Sequence, residues 1–182
     1  MLPAARNTLL VLAPLLSLLT TTAQAGDDMT VREAQKLMFP QAVAFGEVPK
    51  ATVAGWIRAA SAGSTEAFSV MRLSVREARD DTQRLGYLVT DAVIGKFEKI
   101  DYAVAVGADG TIRRVEILRY REDHGQEVKR RSWLDQFVDK QAASTLKLDQ
   151  DIDNITGATL SCSHLTDGIR RIAKVMAAAT GP

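Results

Sequence analysis

The 182-residue chain predicts an α+β fold, an antiparallel β-sheet packed with helices and closed by a C-terminal amphipathic helix. Three observations carry that expectation. Residues 68–120 alternate apolar and polar side chains between turn signals. Within them, "DYAVAVGADGTIRRVEILRY" (101–120) reads as a hairpin, with Asp109-Gly110 supplying the positive φ angles of a tight turn. At the end, "SHLTDGIRRIAKVMAAA" (163–179) repeats Leu165, Ile169, Ile172, Val175 and Met176 at helical spacing, with Arg170, Arg171 and Lys174 expected to face away.

The elements follow in order. Residues 1–25 carry Arg6, the apolar run LLVLAPLLSLL (9–19) and small residues at Ala23 and Ala25. This is the pattern of a cleaved signal peptide, so the chain is expected in the periplasm, or peripheral on the outer face of the cytoplasmic membrane. Gly26 stands where a lipoprotein would carry cysteine. Residues 26–62 form an N-terminal helical segment. In "MTVREAQKLMFP", Thr30 and Glu33 make a capping box, Ala34, Leu37 and Met38 share an apolar face, and Pro40 stops the helix. "KATVAGWIRAAS" (50–61) is a second helix, weakened by Gly55. Residues 63–182 are the main domain. Strands are expected at 68–75 and 85–95, with "REARDDTQR" turning between them, followed by the 101–120 hairpin. "VKRRSWLDQFVDK" (128–140) reads as helix with Trp133, Leu134 and Phe137 on one side, and 141–155 as an irregular connection.

Composition excludes several classes. The mature chain balances 22 acidic residues against the basic residues left once Arg6 is removed, which gives no argument for nucleic acid or an anionic surface. One cysteine, Cys162, makes no internal disulfide and is expected as a small buried thiol. No G-x-G-x-x-G follows a strand, so no nicotinamide site is expected.

The chemistry concentrates in "DNITGATLSCSH" (153–164). Asp149, Asp151 and Asp153 alternate like EF-hand ligands, but Asn154 and Leu160 stand where that loop needs glycine and glutamate, so no metal is expected. Cys162, His164 and His124 lack a zinc spacing. "TGATL" is not a nucleophile elbow, and nothing in the spacing selects a triad from Ser161, Thr159, Cys162 and the histidines. Small residues and hydroxyls just ahead of a helix suit a phosphate at its N-terminus. They suit an ordinary side-chain cap as well, and on the residues alone the cap is the favoured reading.

The run Asp153-Asn-Ile-Thr156-Gly157-Ala158-Thr159 resembles the attachment motif of the FMN-binding domain family, which includes the C subunit of the sodium-translocating NADH:quinone reductase and the G subunit of the Rnf complex. The resemblance extends over about residues 85–178, through "IGKFEKIDYAVAVGADGTIRRVEILRYREDHG" and "ITGATLSCSHLTDGIR", and is strongest to small stand-alone exported members. It implies FMN carried on Thr159 through a phosphoester, made from FAD by a flavin transferase outside the cytoplasm. It places Asp153, Thr156, Gly157, Ala158 and Ser161 in the attachment loop. "YREDHG" (120–125) stands at a flavin-side loop, where Glu122 and Gly125 fit the family and Asp123 and His124 depart from it. The implied function is electron transfer between membrane or periplasmic partners, as a carrier or subunit and not a stand-alone enzyme. The other class is an interaction or assembly module that binds FMN loosely or is never flavinylated.

Overall fold

The computed structural model describes residues 28–66, 68 and 72–181. The expected export segment, 1–25, and residues 69–71 of the expected first strand lie outside these residues.

Helix α1 (Val31–Met38) starts at the expected capping box. Glu33 N–H donates to Thr30 Oγ1 at 3.2 Å, and Thr30 N–H donates to Glu33 Oε2 at 2.7 Å. Its buried face is narrower than expected. Ala34 and Met38 stack one turn apart and are buried, while Leu37 lies on the flank and is 43% exposed. Strand β1 (Ala44–Glu47) was not anticipated. "AFGE" has little strand preference of its own and becomes extended by pairing with β2. Helix α2 (Lys50–Ser61) has the expected bounds and buries Val53.

Strand β2 (Ser74–Arg79) runs further along the chain than the expected 68–75, through residues read as a turn. Its polar side chains, Arg76 and Glu77, are tolerated because the strand is only half covered. The turn sits later, where Asp80 Oδ1 accepts the N–H groups of Thr82 and Gln83. Strands β3 (Arg84–Ile94), β4 (Lys99–Gly107) and β5 (Ile112–Tyr120) complete a five-stranded antiparallel sheet in the order β1-β2-β3-β4-β5. In the β4–β5 turn only Gly110 takes a positive φ, +80°. Asp109 contributes its carboxylate instead, accepting the Thr111 N–H at 3.1 Å.

The expected helix over 128–140 is broken into three short turns: Gln126–Lys129, α3 (Arg131–Leu134) and Asp135–Phe137. Trp133, Leu134 and Phe137 are buried as the pattern required. The chain cannot continue as helix because its end joins the start of β5: Asp139 N–H donates to the Ile112 carbonyl, and Ile112 N–H to that of Lys140. Helix α4 (Thr159–Thr180) begins four residues earlier than expected and spans 22 residues. None of the three named cations simply faces away: Arg171 has a buried Nε and lies in the wall of a cleft with Asp91. Arg170 reaches the Leu146 carbonyl at 2.9 Å, and both Arg170 and Lys174 hold Glu66.

The sheet has two covered faces. Ile100, Tyr102, Val104 and Val106 of β4 meet α4 and the 128–152 segment in the main core. Ala103 and Ala105 face the other way, where their small side chains admit Ala34, Met38 and Phe39 from α1 and the residue after it. Strand β4 is therefore buried almost throughout. At the crossing of α4 over the sheet, a side chain on Gly168 would lie 2.3 Å from the Tyr102 hydroxyl and 3.1 Å from Val93 Cγ1.

Candidate functional site

Three stretches meet at one end of the sheet: the β3–β4 turn (95–98), the exit of β5 (120–125) and the start of α4 with the loop before it (153–164). Glu122 joins the first two. Its Oε1 accepts the N–H of Phe97 at 2.7 Å and of Glu98 at 2.9 Å. Burial alone would raise its pKa, but the N–H groups of Glu98, Phe97 and Lys96 and the Lys96 charge outweigh it and hold the carboxyl below its ordinary range. Gly95 brings this turn against α4, for a side chain there would lie 2.5 Å from Glu122 Oε1 and 3.1 Å from Ser161 Oγ. His164 fastens the same corner, its Nδ1 lying 2.6 Å from the Ile94 carbonyl and 3.1 Å from that of Gly95. Carbonyls only accept, so Nδ1 carries the proton.

Tyr120 joins the second and third stretches. Its hydroxyl donates to the His124 carbonyl at 2.6 Å and lies 3.5 Å from Ser161 Oγ. Burial raises its pKa. Gly125 takes φ +80°, and a side chain there would press on Ala158 Cβ at 3.0 Å. Arg121 turns away from the loop to pair with Asp101 at 3.1 Å.

The attachment-motif residues divide by exposure. Thr156, Gly157 and Thr159 are exposed, while Ala158 and Ser161 are buried beneath them. Gly157 takes φ +87° with open space where a side chain would be. Asp153 is exposed, and its backbone is tied down: its carbonyl accepts Trp133 Nε1–H at 2.7 Å and its N–H donates to Gln136 Oε1 at 2.8 Å. The N-cap of α4 is Ala158, which has no side chain that can cap. Of the two readings of this loop, the side-chain cap is therefore not the one built. The first N–H groups of a 22-residue helix are left open beside the exposed Thr159 hydroxyl. These are donors and a positive helix end, which is the chemistry a phosphate group fits.

The other chemistries find no such support among the described residues. Cys162 is fully buried, and burial raises its pKa, which leaves an unreactive thiol. Ser161 Oγ meets Tyr120 and no histidine. Asp151 accepts the N–H groups of Leu146 and Lys147, so it is a loop clasp, and no three His, Cys, Asp or Glu side chains converge. No helix among the described residues is long and apolar enough to cross a membrane.

A cleft of about 880 Å³ opens beside this end, with Asp91 and Ile94 of β3 and His164, Asp167 and Arg171 of α4 in its walls. Asp91 Oδ2 accepts from the Tyr102 hydroxyl at 3.2 Å; its pKa is raised by burial, against the Ala92 and Arg72 N–H groups, Tyr102 and Arg171. Sequence reasoning missed three participants. The sequence places Tyr120 at the end of the hairpin and the start of the 120–125 loop with no contact assigned, gives Phe97 no role between two strands, and offers His164 as a base or ligand when its Nδ1 is a structural donor.

A family model described as the FMN-binding domain matches residues 95–174. The match starts at the turn that Glu122 holds and ends within α4, so it takes in every stretch that meets at this site. No curated protein matches the chain.

Proposed function

Starting from an FMN-binding domain over residues 95–174, we propose that the chain is an exported electron-transfer flavoprotein whose FMN is joined by a phosphoester to Thr159. The observation that carries this reading is the uncapped start of α4. An exposed threonine stands at the first helical position, the preceding residue is alanine, and no side-chain cap bond is made there among the described residues. The helix end stabilises a phosphoester there by about 0.3–1 kcal/mol. Gly157, with its open surroundings, lets a modifying enzyme approach the threonine. Thr156 and the Asp153 carboxylate, both exposed, are the groups such an enzyme can read.

Attachment from FAD is a group transfer at phosphorus. The Thr159 oxygen forms the new P–O bond, the pyrophosphate bond breaks, AMP leaves, and the hydroxyl proton passes to the flavin transferase. When bound, FMN supplies one- and two-electron redox chemistry. The chain's own part is to hold it. The α4 N–H groups take the phosphate, Glu122 and His164 fix the adjoining turn, and Gly125 packs the 120–125 loop onto Ala158. Electrons then pass between membrane or periplasmic partners, with the chain peripheral to a membrane complex.

The test is intact mass and in-gel fluorescence after SDS denaturation. The full chain is produced in an exporting host with and without a co-expressed flavin transferase, together with Thr159→Ala and Thr159→Ser. We expect an added mass of FMN less water that is lost in Thr159→Ala and kept in Thr159→Ser. No adduct beside an active transferase overturns covalent attachment and leaves a module that holds FMN loosely or not at all.

A further inference from the structure

Resting on the attachment just proposed, we infer that the isoalloxazine ring seats on an apolar ledge formed by Phe97 and Leu160 with Ile94 at its edge, making Phe97 a ring-binding residue. Five large hydrophobic side chains are exposed among the described residues, and three of them are Ile94 (52%), Phe97 (74%) and Leu160 (47%). All three lie at the attachment end. Leu160 follows Thr159 directly in α4, Ile94 ends β3, and Phe97 lies within the turn that Gly95 and His164 hold against that helix.

The turn is rigid. Glu122 takes the Phe97 and Glu98 N–H groups, and the Gly95 position sits within van der Waals reach of Ser161, two residues past Thr159. The backbone that carries Phe97 is tied down while its ring stands in solvent, and Phe97 belongs to neither core cluster, so burial does not account for an aromatic residue here. The Lys96 ammonium lies 4.9 Å from the Phe97 ring centroid, which leaves most of the ring surface open. A flat, largely apolar ring tethered by a flexible ribityl chain at Thr159 is the occupant whose shape, polarity and anchorage suit this ledge.

The probe is the flavinylated full chain, with adduct occupancy fixed by intact mass before each reading. Tryptophan in contact with a flavin quenches its emission by electron transfer, so Phe97→Trp reports contact. We expect Phe97→Trp to lower flavin emission about tenfold, while Leu37→Trp, on the exposed flank of α1, leaves it unchanged. Phe97→Ala should raise the iodide quenching constant about twofold, because the ring loses cover on one side. An adduct with emission unchanged in Phe97→Trp overturns the seat and leaves the ledge to a partner protein. Absence of any adduct in the wild-type chain overturns the attachment, and the seat with it.

Discussion

The Glu122 carboxylate holds a turn through two backbone N–H groups, and that contact ties the electrostatics of the site to its shape. Replacing it by alanine leaves both N–H groups without their acceptor. We expect amide exchange at Phe97 and Glu98 to accelerate by about tenfold or more in Glu122→Ala, while exchange in the β3–β4 ladder stays unchanged. Equal acceleration along the ladder would show that the residue supports the whole sheet. Glu122 and Gly125 were legible in the sequence as members of a loop, but their actual contacts were not. A carboxylate's partners here are backbone groups from a turn 24 and 25 residues away, and no local pattern encodes that meeting. The same applies to Thr159. The motif marked the residue, but the open helix end beside it depended on where α4 starts, four residues before the apolar periodicity suggested.

Among the elements, α4 contributes the largest number of buried residues. Its approach to β3 and β4 is set by Gly168, where an added methyl would overlap the rigid Tyr102 ring and hydroxyl. Gly168→Ala should destabilise the protein by about 2–3 kcal/mol, read from the urea midpoint, because neither the buried tyrosine nor the backbone can give way freely. Tyr102→Phe, which removes the hydroxyl and its bond to Asp91, should cost about 1–2 kcal/mol by itself. Combined with Gly168→Ala it should cost less than the sum of the two, since the clashing atom is gone. The helices at 31–38 and 50–61 and strands β3 to β5 were readable because caps and alternation are local signals. Strand β1 and the 126–137 turns were not, because pairing partners from elsewhere in the chain decide their conformation.

At the scale of the whole molecule, six carboxylates sit in settings that favour the ionised form and one in a setting that opposes it. Backbone hydrogen bonds hold Glu33, Asp80 and Asp109 below their ordinary values. At Glu66, Glu122 and Asp151, burial pulls upward and is outweighed by hydrogen bonds and nearby cations. Groups with depressed folded pKa stabilise above their unfolded values, and that stability is lost as pH falls through the folded ones. Asp91 runs the other way: burial raises its pKa, so its contribution fades as pH rises through the raised value. The six outnumber the one, so the melting temperature should be nearly flat from about pH 6 to 8 and fall steeply below about pH 4. A melting temperature that held constant to pH 3 would show that these contacts are made equally in the unfolded chain. The strand order carries a different consequence, one of timing. Each strand pairs with the one before it in the sequence, so the sheet can assemble in the order in which the chain emerges. The end where the candidate site lies cannot, because it needs the β3–β4 turn, the exit of β5 and then the start of α4, which follows all five strands in chain order. Under the attachment proposed above, an enzyme that reads all three stretches together would meet them only after this domain has folded, and an adduct on Thr159 would record that folding came first.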